Sequence, residues 1–138
     1  MKLVVDASVA AKWLLAEALS PKALALVQPE NELVVPDLFW AEVGNILWKK
    51  WRAGELLETE ATSRFDDLRS MDLRTVSNDL VARAAVGVAL ATSRTVYDSL
   101  YIALAMHEGC RFVTADERLV NGLGGTQYAA HVAWLGAM

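Results

Sequence analysis

Lys2-Leu3-Val4-Val5-Asp6-Ala7-Ser8 is the stretch that decides how this chain folds. Leu3 to Val5 is a continuous apolar run suited to a strand buried on both faces. At Asp6-Ala7-Ser8 the pattern changes and the chain enters a helical stretch. A carboxylate placed where a buried strand stops is held rigidly beside the next helix, in a crevice that ligands reach. One such acid has many uses. Several brought to one point repel each other and need a cation to hold them. Glu42, Asp98 and Asp116 are the residues that could join Asp6 there.

Reading outward, the apolar type recurs at Leu33 to Val35, Leu73 to Val76 and Phe112 to Thr114, with a fifth run at Val132 to Leu135. Helical segments fall between them. Val9 to Ala16 comes first, then Pro21 to Gln28 with Ser20 as N-cap, then Pro36 to Arg52, stopped by Gly54. Glu55 to Ser70, Leu80 to Thr92 after Ser77-Asn78-Asp79, and Val96 to Glu108, ended by Gly109, complete the set. Strands alternating with helices predict the α/β class: a three-layer α/β/α sandwich on a mostly parallel sheet of four to five strands. The Gly122 to Gly125 cluster reads as one loop, and no repeat or linker interrupts the chain.

Composition bounds the rest. At 138 residues, 54% of them hydrophobic, residues 1–138 are expected to form a single domain with a substantial core. Cys110 is the only cysteine, which excludes an internal disulfide or a cysteine-based zinc site and fits a reducing cytoplasm. Met1-Lys2 leads straight into a strand without a charged leader, and no apolar run is long enough for a membrane span, so the expectation is a soluble, cytoplasmic protein. The net charge of -4 argues against a broad phosphate-gripping surface; nucleic acid would have to be held by a local basic patch or by metal ions.

Each acid carries two readings. Glu42 lies mid-helix among apolar neighbours, on the side of Leu38, Phe39 and Ile46 and opposite Trp40, Trp48 and Trp51. No cation stands three or four positions away. Either a distant Lys or Arg or a metal satisfies it, or it lies exposed on a polar strip with Asn45 and Lys49. Asp98 completes a capping box, Thr95-Val96-Tyr97-Asp98, and also opens an apolar helix that must dock on the sheet near the strand ends. Asp116 suits the N-cap of a short helix from Glu117 to Val120. Ser8 caps the first helix or, like Thr114, holds a metal-bound water or a phosphate oxygen.

Four segments taken together, VVDASVAAKWLLAE, VPDLFWAEVGNILWK, TVYDSLYIALA and FVTADERL, resemble the PIN domain. Within it the chain is most similar to the VapC-like toxins of bacterial toxin-antitoxin pairs, over nearly its whole length. The resemblance implies a Mg2+- or Mn2+-dependent ribonuclease whose acidic positions fall on Asp6, Glu42, Asp98 and Asp116, with accessory hydroxyls at Ser8 and Thr114. It also implies an antitoxin partner and cleavage that leaves a 5'-phosphate and a 3'-hydroxyl. None of the four acids departs from the pattern, whereas Glu55 to Thr92 carries no motif.

The chemistry makes these residue types intelligible. Mg2+ prefers oxygen ligands, keeps several waters and borrows one or two carboxylates, so four acids suit one or two ions. His107 and His131 then read as structural. Lys12, four residues after Ser8, and Arg94, just before the Asp98 helix, are candidates to contact the RNA backbone or to be solvated surface cations. Trp40, Trp48 and Trp51 share one helix face with Gly44, where a missing side chain permits close approach. That stripe is expected to pack in a homodimer or against an antitoxin segment. Other classes compete: a receiver-like, non-catalytic Mg-binding module acting through protein contacts, and a phosphatase, which would want a second acid where Ser8 stands.

Overall fold

The computed structural model describes residues 1–138. Five strands, β1 (Lys2–Val5), β2 (Glu32–Pro36), β3 (Leu73–Val76), β4 (Arg111–Thr114) and β5 (Val132–Trp134), form one sheet. All neighbours are parallel, in the order β3-β2-β1-β4-β5. Each strand falls on a segment read from the sequence. Seven α-helices accompany them: α1 (Ala7–Leu14), α2 (Ser20–Leu24), α3 (Leu38–Arg52), α4 (Glu58–Arg69), α5 (Asn78–Thr92), α6 (Val96–Glu108) and α7 (Glu117–Gly122).

β1 takes the centre because it is apolar on both faces: Val4 pairs with Val34 on one side and Phe112 on the other, and Leu3, Val4 and Val5 are buried. The chain winds from β1 through β2 to β3, then reverses to β4 and β5. Parallel crossovers are right-handed, so the reversal places α1 to α4 on one face and α5 and α6 on the other. One cluster of 34 buried residues joins both layers to the sheet. The reversal opens a crevice beyond the carboxyl ends of β1 and β4.

Local readings are corrected in four places. β3 is an edge strand with Arg74 and Thr75 exposed, not a strand buried on both faces. Pro36 ends β2 instead of opening a helix, and the ladder continues past it through Asp37 N–H to Val76 C=O at 3.0 Å. Ser20 lies inside α2, its hydroxyl turned back to Leu15 C=O and Glu17 N–H; Leu19 stands at the cap with φ of 69°. α4 starts at Glu58, because Gly54 at φ of 79° breaks the chain direction and Glu60 accepts from Leu57 N–H at 2.9 Å. Gly109, at φ of 65°, ends α6 as expected.

Candidate metal centre at the carboxyl ends of β1 and β4

Asp6 is fixed by the strand it terminates. Its N–H still donates to Val113 C=O at 3.0 Å, so the backbone is locked to β4 one step beyond β1. One carboxylate oxygen, Oδ2, accepts from both Ser8 Oγ at 2.8 Å and Thr114 Oγ1 at 2.6 Å. Those hydroxyls are held in turn, Ser8 by Ala115 N–H and Thr114 by Asp116 N–H, each at 3.1 Å. This stitches the end of β1 to the end of β4, and both side-chain donors fall on Oδ2, not Oδ1. The helix-capping reading of Ser8 fails, since no side chain caps α1. Thr114 is fully buried, so its role is to hold Asp6, not to touch solvent or a phosphate.

Glu42 projects from the second turn of α3 and is half-buried. Its partner is neither a cation nor simple solvent: Tyr101 Oη donates to Glu42 Oε1 at 2.5 Å. Tyr101 is 1% exposed and stacked on Phe112 with centroids 5.0 Å apart, so the hydroxyl is held in place by the core. Sequence reasoning missed this residue. The available signal was spacing, because Tyr101 lies three positions after Asp98 and shares its face of α6.

Asp98 and Asp116 each stand at a helix start. Thr95 Oγ1 accepts from Asp98 N–H at 3.1 Å, but the reciprocal bond of a capping box is absent, which frees the Asp98 carboxylate. Asp116 Oδ1 caps α7 by accepting from Leu119 N–H at 3.2 Å. Asp6 is itself the N-cap residue of α1. Three helix N-termini thus point positive ends at one crevice and partly offset its negative charge.

The electrostatics remain unbalanced. Burial pushes the Asp6 carboxyl up from its ordinary value, the Thr114 and Ser8 hydroxyls pull it down, and Asp98 pushes it up again. Glu42 is raised by burial and by Asp6 and Asp98, against the Tyr101 hydrogen bond. Asp98 is raised by burial and Asp116, with Arg94 opposing. Burial is the largest cause in all three, and neighbouring acids add to it.

All four acids line one cleft of about 410 Å³ with Ser8, Asn45, Ile46 and Lys49. No three of the carboxylates converge closely enough to grip an ion directly. An all-oxygen donor set with room for solvent fits Mg2+ or Mn2+, which bind through one or two carboxylates and retain water. Lys12 turns away to Glu17 at 3.9 Å, and the Arg94 guanidinium donates to Arg118 C=O at 3.1 Å while covering Gly122, where any side chain would collide with it. Neither lines the cleft.

The tryptophan face divides. Trp40 packs edge-on against Phe39 and Phe65, and its indole N–H donates to Thr75 Oγ1 at 3.0 Å. Trp48 and Trp51 remain 46% and 44% exposed along a groove of about 670 Å³ between α3 and α4. Gly44 is not needed for close approach: a Cβ there would meet Phe65 at an ordinary 3.9 Å.

Comparison with known proteins agrees with this fold. The PIN domain family matches residues 3–121. Ribonuclease VapC3 of Pyrobaculum aerophilum is 40% identical over 123 residues, covering 88% of this chain and 94% of that protein. The crystal structure of PAE2754, also from Pyrobaculum aerophilum, superposes with a TM-score of 0.69 at 25% identity, covering 99% of this chain and 85% of that one. VapBC2 of Rickettsia felis, solved bound to a DNA fragment from its promoter, shares the fold at 12% identity, with a TM-score of 0.68 and coverage of 97% and 98%.

Proposed function

The chain belongs to the PIN-domain family, and from that premise we propose that residues 1–138 work as one PIN-like unit, a divalent-metal-dependent endoribonuclease acting as the toxin of a VapBC-type pair. The 40% identity to a VapC ribonuclease supports the substrate and the reaction class. The carrying observation is the cleft that gathers Asp6, Glu42, Asp98 and Asp116 with one unpaired cation among its lining residues.

In this reading Asp6, Glu42, Asp98 and Asp116 would hold Mg2+, no more than two of them directly and the others through its retained waters, with Mn2+ able to substitute. When bound, the metal lowers the pKa of the attacking water and stabilises charge on the phosphate oxygens. The chain's own residues prepare the site. Ser8 and Thr114 hold one oxygen of Asp6 and so fix the orientation of its carboxylate. Tyr101 keeps Glu42 from swinging into solvent, and its phenol stays protonated because burial, Asp6 and Glu42 all raise its pKa. The three helix N-termini favour anions, which suits both carboxylates and an incoming phosphate.

The protein is expected to act in the cytoplasm; no helix is long and apolar enough to cross a membrane. An antitoxin and a second copy of the chain are its proposed protein partners, with exposed Trp48 and Trp51 as the anchor for one of them. Trp48→Ala separates the two: loss of self-association in the free protein marks a dimer surface, and loss of antitoxin capture alone marks the antitoxin groove. The receiver-like alternative lacks its phosphoacceptor, because Ser77 caps α5 and Asn78 is tied to Leu38 and Asp37 beyond β3. Incubation of RNA with the protein and Mn2+, or with a chelator instead, is the direct test. Metal-dependent cleavage is expected, and equal cleavage in chelator would overturn the assignment.

A further inference from the structure

Ten residues line the acid cleft, and Lys49 alone among them carries positive charge. It makes no ion pair, whereas its neighbour Lys50 is bound to Glu55 at 3.0 Å. Glu42, Asn45, Ile46 and Lys49 follow the i, i+3, i+4, i+7 spacing that puts all four on one face of α3. Lys49 therefore stands two turns beyond Glu42, roughly 10 Å along the helix axis. That distance is too long for neutralising Glu42 and suits a contact farther along a bound strand. Asn45 lies between them, exposed and lining the same cleft. Lys49 shares the last turn of α3 with Lys50 and Arg52, where any one cation favours the helix dipole, but core packing does not set its place: Lys49 is exposed, and α3 is buried through Phe39, Val43 and Leu47.

We propose that Lys49 is the RNA-positioning cation of this cleft, holding a backbone phosphate beside the scissile one, with Asn45 hydrogen-bonding the nucleotide between. The assignment rests on the ribonuclease reading of the same cleft. It replaces Lys12 and Arg94, neither of which lines the cleft: Lys12 pairs with Glu17, and the Arg94 guanidinium is anchored on the Arg118 carbonyl, from where it acts on Asp98 only through its charge. It also explains how an acidic protein holds a polyanion: bound metal would offset the acids at one end of the strand, and the other end meets a lysine that no carboxylate has claimed. Neither residue touches the reacting atoms in this assignment; both set where the strand lies.

The test uses a labelled single-stranded RNA of mixed sequence, bound to Asp98→Asn protein so that cleavage does not interfere. Adding Lys49→Gln should weaken binding about tenfold, the effect of losing one charge-assisted hydrogen bond. The slope of log affinity against log salt should become shallower by about 0.7, one phosphate contact on a single strand. Lys49→Arg should restore both quantities, and Asn45→Ala should weaken binding with the salt slope unchanged. With Asp98 intact, Lys49→Gln should raise KM and leave kcat near the parent value, as loss of uniform binding does. An unchanged salt slope and KM in Lys49→Gln, with a parent that cleaves RNA, overturns the Lys49 assignment alone. A parent that neither binds nor cleaves RNA in Mn2+ overturns it together with the ribonuclease reading.

Discussion

The two ends of the sheet use charge in opposite ways. At the amino ends of the strands, Lys2 and Arg74 interleave with Glu32 and Glu108: Lys2 lies 3.8 Å from Glu32 and 3.5 Å from Glu108, while Arg74 reaches Glu32 at 2.8 Å and also binds Glu108. Two bases meet two acids, and the network closes on itself across β1, β2, β3 and the end of α6. At the carboxyl ends, Asp6, Glu42, Asp98 and Asp116 crowd one cleft with no carboxylate paired to a lysine there. Matched charges blunt an exposed sheet edge. Unmatched charges destabilise the free protein and persist where a ligand completes them.

The largest expected effect breaks the contrast at its sharpest point. Asp6→Asn can keep both hydroxyl donors on its carbonyl oxygen, because both already converge on one atom. Cleavage of RNA should fall by about 100-fold or more, beyond the loss typical of outer-shell positions, while the melting temperature stays level or rises. A variant that melts well below the parent would instead make Asp6 a structural residue. Metal response comes next. At a Mn2+ concentration about 100 times its Kd, the parent should gain about 2.7 kcal/mol of stability. Asp6→Asn should gain much less, and Glu108→Gln, at the other end of the sheet, should gain as much as the parent; calorimetric melting separates the three.

Tyr101→Phe sharpens the comparison within the cleft. It removes the only protein donor to Glu42 while preserving the ring stacked on Phe112. Denaturant titration should show a loss of about 1 kcal/mol, and cleavage should drop by a further several-fold as Glu42 loses its orientation. The smallest effect is in pH dependence, and its sign differs between the two ends. For Asp6, Glu42 and Asp98 the folded pKa lies above the ordinary values of 3.8, 4.5 and 3.8. The metal-free fold therefore binds protons that the unfolded chain has released, and stability falls as pH rises from those values through the raised ones. Burial raises Glu108 as well, but Arg74 and Lys2 together outweigh it and hold its pKa low. Its contribution is present above the ordinary 4.5 and is lost as pH falls through the lowered value. Stability curves of metal-free Asp6→Asn and Glu108→Gln against pH should therefore deviate from the parent in opposite directions.

How much of this was legible beforehand depends on the range of the interaction. β1, β4 and the Val96–Glu108 helix were read with little error because apolar period, Thr95 and Gly109 are local signals. Ser8 and Thr114 were read as hydroxyls beside the acids without their partner being legible, because a hydroxyl two residues from an acid is equally suited to capping and to clamping. Only pairing of β1 with β4 turns Ser8 toward Ala115. Lys12 and Arg94 looked available and were not, since a long side chain goes to whichever carboxylate or carbonyl the fold brings near. The tryptophan face looked uniform on a helical wheel, yet docking of α4 and β3 took Trp40 and left Trp48 and Trp51 out.

By itself the sequence determined the α/β class and the parallel sheet, because burial period and helix caps are properties of short stretches; it offered the four acids as candidates through the family resemblance of four segments. Tertiary structure alone decided the partners: Thr114 and Ser8 on one oxygen of Asp6, Tyr101 on Glu42, and Lys49 without a carboxylate. Such pairings span up to 108 positions along the chain, and no local pattern encodes a contact that exists only after the sheet reverses between β1 and β4.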